Sequence, residues 1–509
     1  MLNPNVLPTG RNMYSINVEA TPDTKAWSDG VALAEQTLAD YKAKHGKYPE
    51  KVSFTFWAGE FIASKGATLA QALRMLGVEP VRDEQGRVMD LRLTPSAELG
   101  RPRVNVMVQV SGQLRDIAGS RLSLLTEAVR LASGAEGDLY PNYVAEGTGE
   151  QRKALEEAGM EPRQAQHLST MRVFGPVNSG YSTGMLAYTE NSGKWEKREE
   201  LADGFVNNMC AMYGDSASWG VPSPTAMKAA VSGTGVIVQP RQSNTWGPVS
   251  LDHVYEFTGA LSLLTTQLDG KEPEAVMADY RNSYTPRMQN TEQAVAVETR
   301  ATLLNPVFIR ERMKGGATTA ERFGEMFRNV FGWTVTRPSA LTEGIYDDLY
   351  DTYIADVNDL GIRDYFDREN PAAFQEMTAT MLESARKGYW QPSDEQLRNV
   401  AEAHADMTEK HGAPCTEFVC GNEKLQKYIA MRLPADKARK YRRELEKALE
   451  SHDDFARPDG ETTSRHRHTT LAEKRTITAA LVGLIAVIVA TIIYYFLQKQ
   501  RKTHNRNEE

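Results

Sequence analysis

The chain has 509 residues, 41% of them hydrophobic and 25% charged, which are the proportions of a folded globular protein rather than a disordered one. A formal charge of −8, with no concentrated basic block to offset it, argues against a nucleic-acid partner. Three cysteines (Cys210, Cys415 and Cys420) are too few for a disulfide framework and leave the redox compartment open.

In chain order, KVSFTFW at Lys51–Trp57 reads as a strand, Ala67–Leu76 as a helix, VNVMVQV at Val104–Val110 as a strand and Arg121–Ala132 as a helix. Trp195–Tyr213 has helical spacing, and GVIVQ at Gly235–Gln239 is a short apolar run of the kind that forms a buried strand. This alternation predicts an α/β fold with mainly parallel sheets flanked by helices, whose sites gather at the C-terminal ends of the strands. Trp57-Ala58-Gly59-Glu60, Ser111-Gly112 and the polar stretch from Gln239 to Asp252 fall at such ends. From about Gln293 to Leu449 the apolar residues recur every three or four positions, which predicts a helical region.

Ser451–Thr470 is rich in His, Arg, Asp and Thr without apolar period, and reads as a flexible linker. It leads to ITAALVGLIAVIVATIIYYFL at Ile477–Leu497, an uncharged run long enough to cross a bilayer core. Tyr494 and Tyr495 stand where an aromatic belt would, and basic residues flank both ends, so the orientation is undecided. The expected organisation is an α/β region over 1–290, a mainly helical region over 291–450, a polar linker over 451–475, a single transmembrane helix over 476–498 and a basic tail over 499–509. That arrangement implies a single-pass C-terminal anchor, in a bacterial inner membrane, with the side of the soluble region open.

Short motifs decide little alone. No Gly-x4-Gly-Lys-Ser/Thr loop is present, so ATP hydrolysis would belong to another chain. Gly180-Tyr-Ser182-Thr-Gly184 matches a serine-nucleophile elbow, but no clear strand leads into it, and a glycine-rich turn is the preferred reading. Cys415 and Cys420, with four residues between them and His411 before, lack a second pair of soft ligands and make a weak metal site. Arg115 and Asp116, after a strand, suit an ion pair or a carboxylate clamp equally.

Taken together, these fragments resemble the large subunit of cobaltochelatase (CobN) and its H-type counterpart in magnesium chelatase. The resemblance is carried in order by VLPTGRNMYSIN at Val6–Asn17, the Trp- and Gly-marked unit at Trp57–Val81, and ELGRPRVNVMVQVSGQLRD at Glu98–Asp116. RVFGPVNSGYSTGM at Arg172–Met185, Asn305–Trp333, ENPAAF at Glu369–Phe374 and CGNEKLQKYI at Cys420–Ile429 complete it. It implies a protein that binds a tetrapyrrole and places a metal (Fe, Co or Mg) in the ring or removes one. It also implies partners: AAA ATPase chelatase subunits, or the N-terminal portion of the same large subunit, since VLPTGRN normally falls inside a longer chain.

The chain departs from the family where a His-Asn and an Arg-Glu-His-Asp run would precede its Tyr-x-Phe-x-Gly helix, and here Gln239-Pro240 and Asn244-Thr245-Trp246-Gly247 stand. Gly315-Gly316 replaces a His-Gly pair, and Phe418-Val419-Cys420 replaces His-Thr-Cys. Insertion needs a base for two pyrrole protons and ligands that strip water from the metal, whereas extraction needs acids that deliver two protons. With the membrane segment, these losses resemble the haem-dechelatase-like (HmuS-like) branch, in which iron is removed from haem. The alternatives are an ATP-dependent cobalt or magnesium chelatase subunit and a non-catalytic tetrapyrrole carrier. On this resemblance the candidate proton donors or metal acceptors are Glu60, Asp252, His253 and Glu256, with His253 also a candidate axial ligand to iron. Arg115, oriented by Asp116, and Arg172 would hold propionates, and Trp246 would stack on the macrocycle. For each residue a packing or capping role stays open, as for Asp252 at the start of its helix.

Overall fold

Lys51–Phe56 is buried at every position, as a strand must be when helices cover both faces of a parallel sheet. The computed structural model describes residues 16–455 apart from residue 179, residues 244–246 and residue 283, with the backbone alone over 451–455. Ten strands are present among them: β1 (Lys51–Phe56), β2 (Val78–Arg82), β3 (Val88–Leu93), β4 (Asn105–Val110), β5 (Val173–Gly175), β6 (Ala211–Met212), β7 (Val221–Pro222), β8 (Val236–Arg241), β9 (Glu274–Asp279) and β10 (Arg287–Asn290). Eight form one sheet in the order β10-β9-β8-β1-β4-β5-β6-β7, while β2 and β3 pair as a separate hairpin.

The central strands β9, β8, β1, β4 and β5 run parallel, with Val52 beside both Val106 and Val236. The outer pairs β9–β10, β5–β6 and β6–β7 are antiparallel. The expected α/β fold with mainly parallel strands is therefore present, and the strand and helix readings near residues 51, 67, 104, 121 and 235 match elements. The helical spacing over Trp195–Tyr213 resolves into a shorter helix, Glu199–Met209. The Glu200 carboxylate accepts the Glu196 and Lys197 amides at its start, and the chain leaves it to form β6.

Strand residues alternate between two layers. Val52, Phe54 and Phe56 of β1 with Val106, Val108 and Val110 of β4 pack under the helices Thr24–His45, Ala67–Leu76 and Gly119–Ser133. The opposite face carries Met107, Ile237 and Met277, which join the core of the helical region. That face also carries polar groups whose partners are fixed: Ser53 bonds Thr234, and the Gln109 amide donates to Thr55 Oγ1 and to the carbonyl of Phe257. Thr258 donates to Gln239 Oε1.

Beyond Asn290 the described residues form helices without further strands. Ala317–Thr336 is the central one, and its Trp333 is fully buried with the indole N–H donating to the Pro248 carbonyl at 2.7 Å. Gly332 permits this packing, because a Cβ there would come within 2.4 Å of the Tyr255 ring.

The expected membrane location is corrected here: among the described residues no helix is long and apolar enough to cross a membrane. Ile477–Leu497 and the expected linker from residue 456 on lie outside the described residues, while the first five linker positions end the helix Ala435–Phe455. The weak metal reading of Cys415 and Cys420 is also corrected, since the two sulfurs are joined in a disulfide and offer no thiolates. His411 is turned to Asp367 instead, at 2.7 Å.

The helical region carries a pH dependence of its own. His404 is completely buried, its Nδ1 2.9 Å from Thr378 Oγ1 and its Nε2 without a partner, and burial pulls its pKa from 6.5 to about 4. The folded state thus binds this proton less readily than the unfolded one. Stability is complete above the unfolded value of 6.5 and falls as pH drops towards 4. The full loss is about 3 kcal/mol, of which about 2 kcal/mol is gone by pH 5. Denaturant unfolding at pH 7 and pH 5 should show this drop, and His404→Gln should remove it. A pH dependence unchanged in the variant would refute the assignment.

Candidate functional site

The C-terminal ends of β1, β4, β8 and β9 open on one side of the sheet, as parallel topology requires. Trp57 follows β1 and packs edge-on against Phe257 at 5.9 Å. With Pro240, Arg241, Gln242, Gly247, Leu251, Val254 and Met277 it lines a mostly apolar cavity of about 200 Å³. A second cavity, of about 230 Å³, lies across Leu251 and is polar: Glu190, Ser250, Asp252, Arg322, Glu325, Arg328 and Asn329 line it. The segment Ser250–Val254 is therefore the wall between an apolar and a charged compartment.

This wall is held from behind by the helical region. Both carboxylate oxygens of Glu298 are occupied by the loop, accepting the amides of Val249 and Ser250 at 3.1 Å each and the Ser250 hydroxyl at 2.6 Å. Asn329 donates to the Val249 carbonyl. Gly247 fits because a Cβ would lie 2.2 Å from Glu298 Oε2.

Past the wall the chain enters a short helix at Asp252 and then a wider π-turn over Tyr255–Gly259, a distortion frequent at functional sites. Asp252 Oδ1 accepts the His253 amide. His253 Nδ1 lies 2.7 Å from Glu256 Oε2, and Glu256 Oε1 accepts the Thr183 hydroxyl at 2.8 Å. The His253 side chain is 49% exposed, whereas Glu256 is 1% exposed. The hydrogen bond to Glu256 raises the His253 pKa, with Asp252 adding to it and burial opposing it. The result is a half-exposed imidazole with one nitrogen anchored on a buried carboxylate, an arrangement that can hold and release a proton at Nε2. Asp252, His253 and Glu256 are thus brought together.

Glu60 is placed elsewhere. It is 1% exposed on the helix Ala58–Ser64, accepts the Ser64 hydroxyl at one oxygen, has no hydrogen bond at the other, and lines neither cavity. Burial pushes its pKa from 4.5 to about 7. The raised value means stability is complete below the unfolded 4.5 and is lost as pH rises through 7, by about 3 kcal/mol in all. Glu60→Gln should unfold at nearly the wild-type denaturant concentration at pH 4.5 and at a clearly higher one at pH 8. Equal midpoints at pH 8 would count against a neutral Glu60.

Arg115 is 6% exposed and already engaged: Nε donates to Asp116 at 2.7 Å, and Nη1 to the Gly180 carbonyl and the Tyr213 hydroxyl. The ion pair holds the Asp116 carboxyl below its usual range. Arg172, expected to hold a propionate, is fully buried, and its guanidinium donates to Asn105, Gln151, Thr148 and the carbonyls of Ser169 and Met171. Trp246 lies outside the described residues. Ser182 is exposed on a turn and accepts the Gly184 amide at 3.4 Å, and among the described residues no histidine is hydrogen-bonded to it.

The sequence reading missed the charged compartment. Arg328 meets Glu190 at 3.2 Å, Glu321 at 3.1 Å and Glu376 at 3.5 Å, and burial raises the Glu190 pKa to about 7. The available signal was a charged residue on the buried stripe of MFRNVF and another in AAFQEM. Among the described residues, no three His, Cys, Asp or Glu are placed to hold one metal ion together.

Comparison with known proteins gives consistent results. The family model described as CobN/Magnesium Chelatase matches residues 1–397. The aerobic cobaltochelatase subunit CobN of Sinorhizobium sp is 28% identical over 396 residues, covering 78% of this chain and 30% of that protein. The H-type magnesium-chelatase protein of Cereibacter sphaeroides is 29% identical over 409 residues, covering 80% and 33%. The solved catalytic subunit of cobaltochelatase from Mycobacterium tuberculosis superposes with a TM-score of 0.73 at 28% identity, over 79% of this chain and 33% of that one. The chain thus spans about a third of the length of these relatives. With its match over most of its length and its shared fold, this chain belongs to the CobN/magnesium chelatase family.

Proposed function

We propose that this chain is the part of a chelatase large subunit that handles the ring and its metal, and that it removes iron from haem. The observation that carries the reading is the relay from Thr183 through buried Glu256 to His253, whose chain neighbours Asp252 and Val254 line a charged cavity and an apolar one. Removing a divalent ion from a porphyrin dianion takes two protons and releases one free-base ring and one metal ion. Ferric haem first requires one electron from an external reductant. In the imidazolium form, His253 donates from Nε2 to a pyrrole nitrogen, takes a proton back from water and donates the second, while Glu256 at Nδ1 stabilises the charged imidazole. Apolar groups such as Trp57, Leu251 and Val254 suit the edge of a macrocycle, and Glu190 and Asp252 across the wall suit the departing cation. The relatives named for cobalt and magnesium chelation favour the same site run in reverse, with His253 as base and partner subunits supplying ATP hydrolysis.

The test is anaerobic incubation of the full chain with haem and a reductant. Free-base porphyrin fluorescence growing with time is the expected result. Haem that binds with an unchanged spectrum would leave a carrier. Metal entry into a free ring only with ATP and the ATPase subunits would establish insertion.

A further inference from the structure

Arg241 ends β8 and lines the mostly apolar cavity beside Trp57, yet among the described residues it has no ion-pair partner. Its Nη1 donates only to the neutral Gln289 amide oxygen at 3.2 Å, and its Nε is buried without any hydrogen-bond partner. Asp279 is its register partner on β9, but that carboxylate is bonded to Arg281 at 2.8 and 2.7 Å. Glu298, the other carboxylate close enough to influence Arg241, has both oxygens committed to the amides of the 249–250 loop. Among the described residues Arg241 forms no ion pair, while Arg281 nearby adds like charge.

A half-buried guanidinium costs free energy unless an anion meets it, and its planar fork matches a carboxylate. Buried unpartnered polar groups are uncommon and call for an explanation. Of the other described residues lining this cavity, Gln242 and Ser243 are polar but uncharged and the rest are apolar, so its ligand should join a largely apolar body to an acidic arm. We propose that Arg241 binds a peripheral carboxylate of the macrocycle, the part that Arg172 cannot take because it is buried away from the cleft. This rests on the chelatase reading, and it assigns the acid-bearing edge of the ring to the β8 end of the site.

The test titrates the full chain with a free-base porphyrin carrying two propionates and, separately, with its dimethyl ester. Wild type should bind the diacid on the order of tenfold more tightly than the ester. Arg241→Gln should lose that preference while binding the ester as wild type does, which also shows that the variant is folded. Arg241→Lys should keep part of the preference. Equal affinity of wild type for both compounds, or a full preference in Arg241→Gln, would overturn the assignment. If both compounds bind equally and metal still leaves the ring, only the role of Arg241 fails. If neither compound binds, the chelatase reading fails with it.

Discussion

His253→Ala is expected to slow metal removal by about a hundredfold or more, the usual contribution of a positioned proton donor. The fold should be little affected, because the His253 side chain is half exposed and its one strong partner, Glu256, keeps the Thr183 hydroxyl. A sharper variant is Glu256→Gln. The Glu256 carboxylate is the largest cause of the raised His253 pKa, so an amide there lets the imidazole fall back towards 6.5. An acid catalyst works below its pKa and fails above it. Wild-type rate should therefore decline as pH rises through a value above 6.5, and Glu256→Gln should move that decline to lower pH. Single-turnover rates from about pH 5.5 to about pH 9 distinguish this from simple damage, which would lower the whole profile without moving it. If His253 instead acts as a base in insertion, the same substitution moves a rising limb in the same direction, so the slope identifies the direction of the reaction.

The parallel core was legible because KVSFTFW, VNVMVQV and GVIVQ are apolar runs bounded by polar turns, and burial on both faces leaves that mark on sequence. The strands not anticipated, such as β5 to β7, are two or three residues long and pair antiparallel at the edge, too short for any period. Asp252, His253 and Glu256 were legible as a group because they sit within five positions on one turn. Glu60 and Arg172 lie buried and line neither cavity, and sequence could not show that for one physical reason. A charged residue after or before an apolar run can face the cleft or turn under the sheet, and only tertiary packing decides which. The compartment around Arg328 was illegible because Glu190, Glu321 and Glu376 come from separate helices.

The loop after β8 depends on a residue far along the chain, and that dependence gives the largest expected structural effect. Glu298 is on the helix Thr291–Ala301, 9% exposed, and supplies acceptors for two backbone amides and one hydroxyl of the loop. Glu298→Ala removes this charged acceptor from the two amides and the hydroxyl, and a charged acceptor lost to a buried amide costs about 1–3 kcal/mol each. The expected destabilisation is about 2–4 kcal/mol, since Ser250 Oγ still accepts the Gly247 amide and water can enter the polar cavity to meet the lost donors. The loss should be local before it is global. Amide exchange at Val249 and Ser250 should speed up far more than at Val106 or Val108 in the sheet, and the midpoint of global unfolding should fall by a smaller fraction. Gln restores one acceptor, so Glu298→Gln should recover part of the protection. Because the loop also forms the wall carrying Asp252 and His253, macrocycle turnover should fall with loop protection across Ala, Gln and wild type. A turnover that stays constant while the loop loosens would show that the wall does not need to be rigid for the chemistry.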